Sequence, residues 1–117
     1  MTITPSNLFN LLADDTRLRA LLLLQAEGEL CVCELTHALE MSQPKVSRHL
    51  AALRHNGVVM TRREANWIYY RMATDLPDWA RAILKEIARA HTSSGPFPED
   101  RERLHKMECR PEWGNTA

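Results

Sequence analysis

A single change of hydrophobic period, at Gly57, constrains this chain more than any other feature. Ahead of it Val46, Leu50 and Leu53 recur at i, i+4 and i+7, the spacing of one buried helical face. Behind it, residues 58–63 and 67–72 alternate with a period of two and are rich in β-branched and aromatic side chains. They read as a hairpin closed around Glu64-Ala65-Asn66. The helix before Gly57 has Ser42 as its N-cap, tolerates Pro44 in its first turn and ends at Asn56-Gly57. A shorter helix, from about Cys31 to Glu40, precedes it across the tight Met41-Ser42-Gln43 connection. Two helices joined by a tight turn and followed by a hairpin form a winged helix-turn-helix, a mainly α fold with a β-hairpin.

The second of these helices leaves Gln43, Lys45, Ser47, Arg48 and Arg54 on or near the side away from its apolar stripe. In a helix-turn-helix the N-terminal part of the second helix enters the major groove. Gln and Arg there can form bidentate contacts to base edges, while Ser and Lys more often hold phosphates. Formal net charge is zero, but its distribution is uneven. Between Ser42 and Arg71 six basic residues face the single acid Glu64, a local charge of +5. A basic segment balanced by an acidic body is the electrostatic footprint of a double-stranded DNA reader, although a solvated basic surface has the same charge. Arg62 and Arg63 fall near the hairpin tip, where a wing reaches phosphates or the minor groove. Trp67, Tyr69 and Tyr70 read as strand packing rather than base stacking.

The other segments supply the body. Leu8, Phe9, Leu11 and Leu12 mark a first short helix, and Asp14-Asp15-Thr16 opens a second that carries Leu18, Leu21, Leu22 and Leu24 and stops at Gly28. Pro77-Asp78 starts a long helix to roughly Thr92 with two apolar faces: Trp79, Ile83, Ile87 and Ala90 on one, Ala80, Leu84 and Ala88 on the other. One face serves the subunit's own core. The second, with the first helix, predicts a homodimer built through these two helices. Residues 1–92 therefore form a winged helix-turn-helix DNA-binding and dimerisation domain, and residues 93–117 a mixed-charge tail carrying Cys109. The longest aliphatic run is too short to span a bilayer, and no secretory signal pattern precedes it, so a cytoplasmic protein is expected.

Cys31 and Cys33 lie one residue apart where the helix ahead of the DNA-reading helix begins. Buried structural cysteines are common. Here Leu30, Leu35 and Leu39 already provide apolar positions, and Glu29 and Glu34 place the start near water. An odd cysteine count favours free thiols, a metal site or redox chemistry over a disulfide framework. In a helix intact from Cys31, residues two apart lie roughly 200° around the axis, so the sulfurs diverge. One soft ion could hold both only by distorting the first turn.

The run Glu29-Leu-Cys-Val-Cys-Glu-Leu, with Ser42-Gln-Pro-Lys-Val-Ser-Arg-His-Leu and Asn66-Trp-Ile-Tyr-Tyr-Arg, resembles the arsenical-resistance repressors of the ArsR/SmtB family over about Leu8 to Ala90. The resemblance implies a homodimeric repressor that binds a palindromic operator with no cofactor in the DNA-bound state. Trivalent arsenic or antimony, the inducer, binds cysteine thiolates and releases it; Cys31 and Cys33 match the first two of those cysteines. Where the family pattern has a third, this chain has Thr36. Because trivalent arsenic prefers three soft ligands, Cys109 is the candidate third ligand. The alternative is a two-sulfur site suited to methylarsenite, with Cys109 idle. The zinc-sensor pattern of the family, Asp-x-His on the last helix, is broken, since Ala80 stands two residues after Asp78 where a His is required. Cys33 and His37, at i and i+4, are a weaker zinc-compatible pair. Zinc or thiol oxidation remain alternative signals. An enzyme is not expected, because a thiol oxidoreductase normally carries Cys-x-x-Cys on an α/β pattern.

Overall fold

The computed structural model describes residues 3–91 and 93–108. In chain order the elements are α1 (Pro5–Leu12), α2 (Asp15–Glu27), β1 (Glu29–Cys31), α3 (Val32–Leu39), α4 (Gln43–His55), β2 (Val59–Glu64), β3 (Trp67–Met72), α5 (Asp78–His91) and α6 (Phe97–His105). The strands form one antiparallel sheet in the order β1-β3-β2. Helices α3 and α4 with the β2–β3 hairpin make the winged helix-turn-helix read from the sequence.

Local signals fix most boundaries. The Asp14 carboxylate caps α2 by accepting the Arg17 N–H at 3.1 Å, and Gly28 closes that helix at φ +93°, a conformation that favours glycine. Ser42 caps α4, and the stripe of Val46, Leu50 and Leu53 is buried as its spacing requires. It packs with Leu21 and Leu24 of α2 and with Leu35 and Leu39 of α3 into one core. This core holds α3 and α4 together.

Two elements differ from expectation. Residues 29–31 pair with β3 as a third strand, so α3 starts at Val32 and Cys31 lies outside it. Three residues are too few to display a period, and tertiary pairing decides their conformation. Residues 97–105, read as part of a mixed-charge tail, form α6, which packs on α2 and α3. Its anchor is largely electrostatic. Asp100, 1% exposed, accepts from Arg19 at 2.6 and 2.9 Å and from Arg103 at 2.6 Å. Those guanidinium groups also donate to Leu39 O and Ala38 O, the last carbonyls of α3. Leu104 is its one fully buried apolar side chain, so no apolar stripe announced the helix.

Helix α5 buries only Ala80 and Leu84, leaving Trp79 exposed and Ile83 and Ile87 half-buried. On α1, Phe9 is 54% exposed. Among the described residues no helix is long and apolar enough to cross a membrane.

Candidate functional site

Cys31 ends β1 and is the N-cap of α3, with extended backbone angles of φ −87° and ψ 168°. Its sulfur lies 2.7 Å from that of Cys33. The expected divergence of the two sulfurs is therefore corrected: the 100° per residue rule does not reach a residue outside the helix. An extended N-cap turns its side chain back over the first turn, so the thiols meet while α3 stays intact. No unwinding is needed to bring them together.

Glu34 holds this arrangement. Its carboxylate accepts the Cys31 N–H at 2.8 Å, and the Cys31 sulfur faces the Glu34 amide, a capping box with a thiol in place of the usual hydroxyl. The sequence pattern for it, a cap residue followed three positions later by Glu, was present but disguised by the cysteine. Burial, then the hydrogen bond with Cys33, push the Cys31 thiol up to about 12; the nearby Glu34 carboxylate adds to the rise and its amide offsets part of it. Cys31 is buried and Cys33 half-buried, so the pair is reached from the Cys33 side. Thr36, one turn on, donates its hydroxyl to Val32 O at 2.7 Å. His37 is exposed. Among the described residues no group of three or more His, Cys, Asp or Glu side chains could hold a metal. Cys109, the expected third ligand, lies outside the described residues. Two thiols in contact, one half-accessible, suit a soft thiophilic centre.

Of the residues assigned to DNA, Gln43, Lys45, Arg48 and Arg54 are exposed on α4, and Ser47 is half-buried, 3.5 Å from the Gln43 amide. Arg48 lies across the helix from the Val46, Leu50 and Leu53 stripe, and Gln43 and Arg54 border it. His49 sits behind them, 3.8 Å from Asp14 and 3.4 Å from Arg17. Burial holds its pKa below the ordinary value; Asp14 opposes this, while Arg17, Arg48 and Lys45 add to it. Arg63 is exposed near the hairpin tip. Arg62, grouped with it from the sequence, has a different environment. It pairs with Glu29 of β1 at 2.8 Å and with Glu64, and it lies 4.7 Å over the Tyr69 ring. Tyr69 is buried, as the packing reading expects, but Trp67 is 42% exposed at the wing.

Comparison with known proteins agrees with this architecture. The model of the family described as bacterial regulatory protein, arsR family, matches residues 14–61. The chain is 52% identical over 110 residues to the arsenic resistance transcriptional regulator ArsR1 of Pseudomonas putida, covering 94% of this chain and 84% of that protein. Among solved structures, HlyU from Vibrio cholerae is 34% identical with a TM-score of 0.67, covering 75% of this chain and 91% of that one. The antimony-specific transcriptional repressor AntR is 33% identical with a TM-score of 0.58, covering 72% and 78%. The chain belongs to the arsR family of bacterial regulatory proteins.

Proposed function

We propose that this protein is a homodimeric repressor of an arsenic-resistance operon, released from its operator when trivalent arsenic or antimony binds Cys31 and Cys33. The observation that carries this reading is the sulfur pair, 2.7 Å apart at the start of the helix that precedes the DNA-reading helix. In support, the P. putida relative is an arsenic resistance regulator and AntR an antimony-specific repressor. The dimer forms through α1 and α5, whose exposed Phe9 and Trp79 and half-buried Ile83 and Ile87 supply an apolar surface. Gln43, Lys45, Ser47 and Arg48 face double-stranded operator DNA in the major groove, and Arg54, Arg62 and Arg63 address phosphates. DNA binding requires no cofactor, and the protein is a regulator rather than an enzyme.

The chemistry fits a buried, protonated thiol. When arsenous acid, As(OH)3, meets two thiols, two As–S bonds form and two As–O bonds break. Each departing hydroxide leaves with a thiol proton as water, with no change of oxidation state. The buried site gains no net charge, whereas a dication entering it would force the thiols to ionise against desolvation. Binding also removes the sulfur–sulfur hydrogen bond and the sulfur's contact with the Glu34 amide. The cap of α3 is thereby altered, and the inducer shifts the population through its preference for the altered state. With Thr36 in the third position, methylarsenite, which has two exchangeable hydroxides, is favoured as a second inducer.

Release of the purified, reduced dimer from its promoter DNA tests this, titrated with arsenite, methylarsenite, antimonite and zinc. Arsenite or antimonite should weaken operator binding by roughly 5 to 150-fold, the span of ordinary allosteric coupling, in wild type but not in Cys31→Ser. Release that is lost in Cys109→Ser makes the site a three-thiol one; release that survives makes it a two-thiol one. Release by zinc alone would overturn the proposal.

A further inference from the structure

The wing is tied to the thiol strand by a row of side chains that crosses the whole sheet. In the strand register Cys31 of β1 lies opposite Tyr69 of β3, and Tyr69 lies opposite Arg62 of β2. Residues directly opposite in adjacent strands share a sheet face and pack side by side. Tyr69 is 1% exposed, and its ring carries the Arg62 guanidinium 4.7 Å above it. Arg62 then returns to β1, where Glu29 receives it at 2.8 Å from Nη2 and at 3.2 and 3.3 Å from Nε. Glu29 is two residues from Cys31, so both side chains project from the same face of one strand. The three-residue strand is thus gripped twice by the wing, once under Tyr69 and once at the Glu29 carboxylate.

We infer that Glu29 is a positioning residue that couples the thiol pair to the wing: through its pairing with Arg62, a displacement of β1 at Cys31 is carried into the β2–β3 hairpin. The inference rests on the metalloid-sensing reading of Cys31 and Cys33, and adds to it a second route to DNA besides the α3–α4 packing. A bidentate pair is suited to this role, here with its carboxylate largely buried and its guanidinium half-exposed. The Glu29 side chain is 12% exposed, and the planar guanidinium fixes direction as well as distance. Arg62 is consequently an internal strut as well as a basic wing residue, and its orientation is set by β1. A wing whose arginine is held by Glu29 follows that strand; with the pair removed, β1 is gripped only by its pairing with β3, and less of its displacement reaches β2.

The test separates inducer binding from inducer response. Arsenite binding to the full-length dimer is followed by loss of free thiols to a disulfide reagent. Operator affinity with and without saturating arsenite is measured by fluorescence anisotropy, for wild type, Glu29→Gln, Arg62→Gln and the double variant. The expected result is that Glu29→Gln consumes the same number of thiols per subunit as wild type, while the factor by which arsenite weakens operator binding falls about fivefold, which is about 1 kcal/mol at 1.4 kcal/mol per tenfold. Arg62→Gln should lower that factor at least as far, and the double variant no further than Arg62→Gln, because the Glu29–Arg62 link is already lost in each single variant. An unchanged factor in Glu29→Gln at full thiol consumption would overturn the inference while leaving the sensing reading intact. Failure of arsenite to weaken operator binding by wild type would overturn both. If Glu29→Gln loses thiol consumption as well, Glu29 maintains the site itself, and the coupling role is overturned.

Discussion

Cys31 ends a strand and caps a helix at the same backbone position, and its chemistry follows from that double duty. Because burial lifts its thiol from 9.0 to about 12, the folded protein keeps a proton that the unfolded chain gives up in mild alkali. Its contribution to stability is therefore complete below pH 9 and declines as pH rises from 9 toward 12. Urea midpoints measured at pH 8, 9 and 10 should fall more steeply for wild type than for Cys31→Ser, which lacks the thiol at that position; equal slopes would show that this thiol is not held protonated by the fold. The two wing arginines differ at the same scale. Arg63 is exposed, whereas Arg62 is partnered by Glu29 and Glu64. Arg63→Ala should lower the slope of log affinity against log salt by about 0.9, the value of one phosphate contact. Salt titration of operator binding reads this directly, and an unchanged slope would remove Arg63 from the phosphate contacts. The sequence presented these two arginines as equivalent neighbours, because nothing in the Arg62-Arg63 pair shows that an acid 33 positions earlier will fold against one of them.

Helix by helix, legibility followed the strength of the apolar stripe. The boundaries of α4 were readable because Ser42, Pro44 and Gly57 punctuate a stripe of Val46, Leu50 and Leu53, and each of these is a local signal. In α6 the signal is nearly absent. Its attachment depends on a carboxylate, Asp100, meeting Arg19 from α2, 81 residues away in the chain, and on Arg103 reaching Ala38 O at the end of α3. Removing the charge at a buried pair while leaving its partners in place is costly. Asp100→Asn should destabilise the fold by about 3 kcal/mol, seen as a lower urea midpoint. A change within 0.5 kcal/mol would mean that α6 is held chiefly by Leu104 and Phe97. Since Arg19 and Arg103 also bind the carbonyls that end α3, the same variant should weaken operator binding more than a surface substitution such as Glu102→Gln. That comparison is made at equal folded fraction.

At the scale of the whole molecule, the described subunit leaves apolar surface on α1 and α5 that its own core does not use. Trp79 is 36% and Phe9 54% exposed. Ile87→Asp, placed on the outer face of α5, should yield monomers by sedimentation velocity and reduce operator affinity by at least tenfold, since a paired half-site is lost; a dimer that persists would move the interface elsewhere. The amino-acid sequence by itself determined the winged helix-turn-helix, the basic face of α4 and the presence of a thiol pair at the start of α3. Each is written in local spacing: a 3.6-residue period, a change to a period of two at Gly57, and cap residues at helix ends. Only the tertiary structure decided that Cys31 belongs to a strand, that its sulfur meets Cys33 without unwinding α3, and that Arg62 is bound to Glu29. The physical reason is the same in all three. A three-residue strand has no stable conformation of its own and takes one from pairing with β3, and that pairing alone sets where the Cys31 and Glu29 side chains point.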